Sequence, residues 1–241
     1  MIRELLEKNP TVAEVAIKCP ASMQVFEKLG IDYCCGGQRP IIEALSEKGT
    51  SLEEIAQAVE SASASEPVQE RDWTQSTLTE LADHIEAVYH TFLRSELPRL
   101  SELFTRVLEA HEAKHGHVLL PLRDTYESLE TELESHMLKE EQVLFPMIRA
   151  REANPSPEVM GFPIEAPISV MEQEHLNAAN ALTSMRQITG NYSLPDDACP
   201  SFHNLYQSLQ ALEENLHRHI HLENNILFPR AIQQGQSAAW M

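Results

Sequence analysis

Basic residues are scarce in this chain. Lysine and arginine number 18 against 37 aspartates and glutamates, a formal charge of −19 over 241 residues. A polyanion is repelled by phosphate backbones and anionic lipid, so binding to nucleic acid or a membrane surface would need a local basic patch, and the sequence holds none. Long apolar runs are missing too. No stretch approaches the ~20 residues that span a bilayer, and the opening "MIRELLEKNP" has no apolar signal core, so the chain reads as cytoplasmic. Four cysteines are too few for a disulfide framework in a chain this long. Two of them are neighbours in "DYCCGG", which favours thiol chemistry over a staple.

What the chain does have is helical periodicity. Residues 1–60 read as a small helical domain, marginal alone at that size. In "PTVAEVAIKCPASMQVFEKLGID" a capping box pairs Thr11 with Glu14, a second helix starts near Pro20–Ser22, and Gly30 stops it. Ser51 and Glu54 repeat the capping pattern. "SASASEPVQERD", a small-residue polar tract broken by proline, marks a linker over 61–73 with a reach on the order of 20 Å. From 74 to 241 the pattern predicts four long helical stretches, roughly 75–112 with a bend at Pro98, 118–151, 162–188 and 199–234. Period-2 strand segments are absent there. The loops "ANPSPEVMGFP" and "TGNYSLPDDACP" complete an all-α, antiparallel four-helix bundle.

Inside that bundle one segment occurs twice. "LESHMLKEEQVLFP" (133–146) aligns with "LHRHIHLENNILFP" (216–229), so His136 matches His219 and Glu140 matches Glu223. The apolar neighbours Leu133, Met137, Val143 and Leu144, and Leu216, Ile220, Ile226 and Leu227, turn each His–Glu pair inward. A lone inward histidine is ordinarily a hydrogen-bonded core residue. A buried carboxylate beside it is costly without a counter-charge, and no lysine or arginine occupies the matching inward positions. A metal ion supplies that charge, because residues i and i+4 stand ~5–6 Å apart on one helix face.

The other two helices each offer one inward histidine. His84 shares a face with Leu81, Val88 and Phe92, and His175 with Met171, Ala179 and Leu182. Four histidines and two glutamates suit a pair of first-row metals with bridging carboxylates and terminal imidazoles. Iron is the choice among them; the lack of thiolates argues against structural zinc, and the nitrogen donors argue against magnesium or calcium. Rival motifs are weaker. "HEAKH" (111–115) matches the H-E-x-x-H of zinc peptidases, yet it lacks the extended continuation and reads as a helix end with exposed histidines. His217 and His221 lie beside Glu213, Glu214 and Arg218 on a polar face. His90 and His203 have no inward partner, and Glu141 faces solvent. Cys19 and Cys199 look incidental, whereas Cys34–Cys35, between a helix stop and two glycines, should occupy an exposed, mobile turn.

The order His…His-x-x-x-Glu…His…His-x-x-x-Glu with Leu-Phe-Pro resembles a hemerythrin-like domain, and "IDYCCGG" ahead of it resembles the N-terminal domain of the ScdA/YtfE family, also called RIC for repair of iron centres. The resemblance covers nearly the whole chain. It implies a bacterial cytoplasmic protein with two irons, oxo-bridged in one form, that restores iron-sulfur clusters damaged by nitrosative or oxidative stress. Its partners would be damaged iron-sulfur proteins and nitric oxide or another diatomic, with a homodimer compatible. Carried over, the ligands fall on His84, His136, Glu140, His175, His219 and Glu223, the vicinal thiols on Cys34 and Cys35, and a family glutamate near the metals on Glu174. Oxygen-carrying hemerythrins use five histidines and an aspartate; one nitrogen ligand fewer here leaves positions for water, an oxo bridge or nitric oxide and favours reactivity over oxygen carriage. A nitric oxide reductase and a non-catalytic O2 or NO sensor are the alternatives.

Overall fold

The structure, a computed structural model, describes residues 2–65, 71–154 and 163–238. It is all-α; among the described residues the only β-type pairing is an isolated bridge between Thr11 and Pro40. The chain divides into two compact units, one formed by the residues up to Thr77 together with His217–Arg230, the other by Leu78–Leu216 and the chain from Ala231 onward. The division passes through an unbroken helical stretch, since α10 (Pro200–Leu222), a π-helical turn π3 (Glu223–Leu227) and α11 (Phe228–Ala238) follow one another directly.

In the first unit five short helices run in sequence: α1 (Ile2–Leu6), α2 (Val12–Lys18), α3 (Ala21–Leu29), α4 (Ile41–Glu47) and α5 (Leu52–Ser65). Their ends follow the local chemistry. Thr11 accepts from the Glu14 backbone while the Glu14 carboxylate accepts from Thr11 N, and Ser51 and Glu54 do the same at α5. Gly30, at φ 63°, closes α3 in the left-handed region where a side chain would be strained. Val12, Val15, Phe26, Ile41, Leu45, Ile55 and Val59 form the core of these helices. The tract expected to be a linker begins inside α5, which continues to Ser65, and residues 66–70 lie outside the described residues.

The second unit begins with α6 (Leu78–His84), a π-helical turn π1 (Ile85–His90) and α7 (Thr91–Lys139), then a second π-turn π2 (Glu140–Leu144) and α8 (Phe145–Ala153). Helical backbone is continuous from Thr91 to Lys139, yet this run folds back on itself. A straight helix would hold Leu97 and Tyr126 about 43 Å apart at 1.5 Å per residue. Instead the Tyr126 hydroxyl donates to the Leu97 carbonyl at 2.6 Å, Ser101 donates to Glu130 at 2.9 Å, and Arg149 reaches Asp83 at 2.6 Å. The reversal therefore falls between Ser101 and Tyr126, a span that contains Gly116 and Pro121, and produces a helical hairpin. Pro98 is accommodated inside the first arm without interrupting it.

Helix α9 (Glu165–Thr189) packs along α7 and ends at Gly190, φ 57°. Helix α10 is tied to both neighbours, through Arg186 to Glu213 at 2.6 Å and Arg99 to Ser208. The connection 153–163 expected between the second and third helices falls mostly on residues 155–162, outside the described residues.

Candidate metal centre

Three π-turns mark where the candidate donors sit. His90 ends π1, Glu140 opens π2 and Glu223 opens π3. A π-turn inserts one residue into the helical repeat, so the residue below position i is i+5 rather than i+4. That register shift decides which histidine of "HIEAVYH" turns inward. From buried Ile85 an α-helical count of four leads to Tyr89, which is half-buried; the π-helical count of five leads to His90, which is 0% exposed. His84 is half-buried, with its ring edge-on to Tyr89 at 5.8 Å. The same effect turns Val143 outward to 50% exposure in the second helix, while Leu133, Met137 and Leu144 remain buried as the sequence predicts.

Two groups of buried donors result, His90, His136, Glu140 and His175 in the second unit and His219 with Glu223 in the first. Within the hairpin Glu140 divides its oxygens, Oε2 lying 3.2 Å from His90 Nε2 and Oε1 3.4 Å from His136 Nε2. His175 Nε2 lies 3.2 Å from His136 Nε2, and His219 Nε2 lies 3.1 Å from Glu223 Oε1 one helical turn on. Of the six ligands expected from the sequence, the structure brings together His136, Glu140 and His175 in the second unit and pairs His219 with Glu223 in the first. It does not bring His84 to them; His90 stands there instead.

The duplication contained the clue. His136 and His219 are 83 positions apart, and subtracting that offset from His175 gives position 92, two residues from His90 and eight from His84.

Behind two of the imidazoles stands a carboxylate. His136 Nδ1 is 2.9 Å from Glu174 Oε2, and His90 Nδ1 is 2.7 Å from Glu141 Oε1. The His136 hydrogen bond, aided by Lys139, holds the Glu174 carboxyl down at about 2. Burial opposes ionisation of Glu141, but hydrogen bonds from His90 and from Arg94 at 2.5 Å outweigh it and lower its pKa. An ionised carboxylate only accepts, so each Nδ1 carries the proton and each Nε2 is left to bind. Glu174 is thus a positioning residue for His136. Glu141, expected in solvent, has the same place behind His90, because the register shift that buries His90 also brings its neighbour under Arg94.

The thiol turn belongs to the first unit and is more enclosed than its sequence predicts. Cys34 is 3% exposed and Cys35 half-buried, both are free, and their sulfurs lie 3.8 Å apart. The Asp32 carboxylate gathers the turn, accepting from the backbone N–H groups of Cys34, Cys35 and Gly36 at 2.7–3.0 Å. A Cβ on Gly37 would meet the Tyr33 carbonyl at 2.6 Å, so only glycine fits there. The hydrogen bond with Cys35, with burial and Asp32 adding to it, pushes the Cys34 thiol well above its ordinary range. The turn is held from π3: Asn225 Nδ2 donates to the Tyr33 carbonyl at 3.1 Å, and Asn224 Nδ2 to that of Cys34 at 3.3 Å. These asparagines directly follow Glu223. The same contacts bury His221, whose ring meets Tyr33 edge-on at 5.5 Å and whose pKa burial lowers to about 4. Part of the face that reads as polar in the sequence is covered: Glu213 on it is buried against Arg186, while Glu214 stays exposed.

An all-α domain with paired His-x-x-x-Glu turns defines a class. Residues 82–231 match the model described as hemerythrin HHE cation binding domain, and residues 8–63 match a domain of unknown function of the ScdA N-terminal type. The chain belongs to the hemerythrin HHE cation-binding family. Within it, the chain is 33% identical over 226 residues to the iron-sulfur cluster repair protein YtfE of Dickeya chrysanthemi, covering 94% of this chain and 98% of that protein. It is 37% identical over 225 residues to the proteins of the same name from Escherichia coli O17:K52:H18 and Citrobacter koseri, covering 93% of this chain and 97% of each of them. These relatives make it a member of the YtfE family.

Proposed function

We propose that this chain is a di-iron protein that repairs iron-sulfur clusters damaged by nitric oxide or oxidants in the cytoplasm. The observation that carries the reading is the completely buried Glu140, which sets one oxygen against His90 Nε2 and the other against His136 Nε2, an arrangement suited to a carboxylate between two adjacent cations. The donor set fits iron. Imidazole and carboxylate suit it, and the two buried carboxylates bring negative charge that the cations offset. His90, His136, Glu140 and His175 would hold iron from the second unit, and the duplicated pair His219 and Glu223 in the first offers donors of the same kind. Bound iron supplies coordination positions open to a diatomic ligand and is itself the element a damaged cluster lacks. The chain's own contribution is geometric: Glu141 and Glu174 fix the two imidazoles, Arg94 and Lys139 balance those carboxylates, and buried Ile85, Leu133, Met137 and Ile226 on the same helices exclude water. The relatives' name, iron-sulfur cluster repair protein, supports the substrate class.

The test is reactivation of a [4Fe-4S] dehydratase inactivated by nitric oxide. The iron-loaded protein restores activity at substoichiometric free iron, and the Glu140→Ala protein does not. Equal reactivation by the variant, or by ferrous salt at the same iron concentration, overturns the proposal.

A further inference from the structure

"HEAKH" does not end a helix in solvent. His111 and His115 lie one turn apart, their ring centroids 6.0 Å from each other, and both rings pack on Phe202, at 5.3 and 6.0 Å. Both are half-buried. Opposite them Asp197 projects from the turn that precedes α10, a turn closed by the Ala198 N–H donating to the Pro195 carbonyl at 3.0 Å. One nitrogen from each imidazole and one Asp197 oxygen all lie within 4.8 Å of one another. This group stands apart from the buried centre: His111 is 21 positions beyond His90, about 30 Å along the helical arm.

An ion pair alone does not account for the arrangement. His115 Nε2 meets Asp197 Oδ1 at 2.8 Å, and Lys114 Nζ meets Oδ2 at 2.8 Å, so the carboxylate is already balanced by those two. His111 adds nothing to that pair. Its Nε2 is nevertheless buried and has no hydrogen-bond partner among the described residues. A buried ring nitrogen without a partner is costly, and a nitrogen in the company of a second imidazole and a carboxylate has one efficient use.

We infer that His111, His115 and Asp197 form a second cation site, for a divalent metal of the zinc class. Two imidazole nitrogens and one carboxylate oxygen are donors that Zn2+, Co2+ and Ni2+ accept readily and that Mg2+ and Ca2+ do not. The i, i+4 spacing on a helix lets both Nε2 atoms converge on one ion, with the Asp197 Oδ1 completing three protein ligands and water taking the rest. Lys114 keeps Oδ2 and so holds the carboxylate in one orientation. The acidic chain, at −19, favours cation capture over repulsion. This inference does not depend on cluster repair; it concerns the hairpin tip and the loop that meets it.

The experiment titrates the iron-loaded full chain with Zn2+ by calorimetry while its iron content is followed, and with Co2+ by visible absorption. One further equivalent binds without release of iron, and Co2+ develops the d–d bands of a nitrogen-bearing low-coordinate site. His111→Ala leaves the His115–Asp197–Lys114 contacts intact, so it isolates metal binding from folding. It weakens the zinc step at least about tenfold, as does His115→Ala, whereas exposed His203→Ala leaves it unchanged. Zinc uptake that matches iron loss, or a titration identical in His111→Ala and the parent chain, overturns the inference.

Discussion

At the scale of single residues, the decisive contrast lies between two histidines six positions apart. His90 is enclosed beside Glu140 and backed by Glu141, and His84 is half-buried against Tyr89. Replacing His90 with alanine removes a terminal donor and leaves Glu140 and Glu141 facing a void. Iron retained after desalting is expected to fall to half or less of the parent content, with far-ultraviolet circular dichroism unchanged. His84→Ala retains its iron. Metal analysis of the two purified variants decides this, and the opposite pattern would restore the α-helical register. Periodicity at 3.6 residues could place five of these donors because the α-helical count holds up to each of them: His136, His175 and His219 lie in α-helix, and Glu140 and Glu223 are the first residues of their π-turns. It misplaced the sixth because nothing in "HIEAVYH" announces a wider turn; the widening is stabilised by contacts from other helices, which a local pattern does not contain.

At the scale of elements, the three π-turns are the feature to test. Each begins or ends on a donor residue, so each trades regular helical hydrogen bonding for the placement of one ligand. Exchanging two neighbours in π1, Tyr89→His together with His90→Tyr, puts the imidazole where an α-helical count from Ile85 would place it and leaves the chain length unchanged. The expected outcome is a folded, helical protein that loads iron at least about tenfold more weakly, since no imidazole then occupies the position of His90 relative to Glu141 and Glu140. Competition against a chromophoric chelator measures the change. Unaltered affinity would show that the wide turn is dispensable. Other elements needed no such help. The capping boxes at Thr11 and Ser51, the stop at Gly30 and the loop chemistry of 189–200 are local, and local chemistry is what a sequence displays directly.

For the whole molecule, the balance of charge sets the behaviour. Glu140 and Glu223 are completely buried in a chain that already carries a large negative charge, and burying carboxylates costs several kcal/mol each unless a cation offsets it. Metal should therefore be a large part of folded stability. Ligand at 100 times its dissociation constant adds about 2.7 kcal/mol, which for a protein of this size raises the melting temperature by roughly 5–10 °C. Thermal melts of the iron-loaded protein against the same sample after chelation measure the difference. Coincident melting curves would mean that these carboxylates are accommodated without metal.

The sequence by itself determined the helical class, the duplicated His-x-x-x-Glu pairs, the metal chemistry of their donors and the capping of the small domain, because each is written in spacing along one chain segment. Only the tertiary structure decided that His90 rather than His84 joins the donors, that Cys34 and His221 are covered, and that Asp197 faces His111 and His115. Those three depend on helices separated by tens of residues pressing against one another, and that pressure sets register and burial where local periodicity leaves a choice.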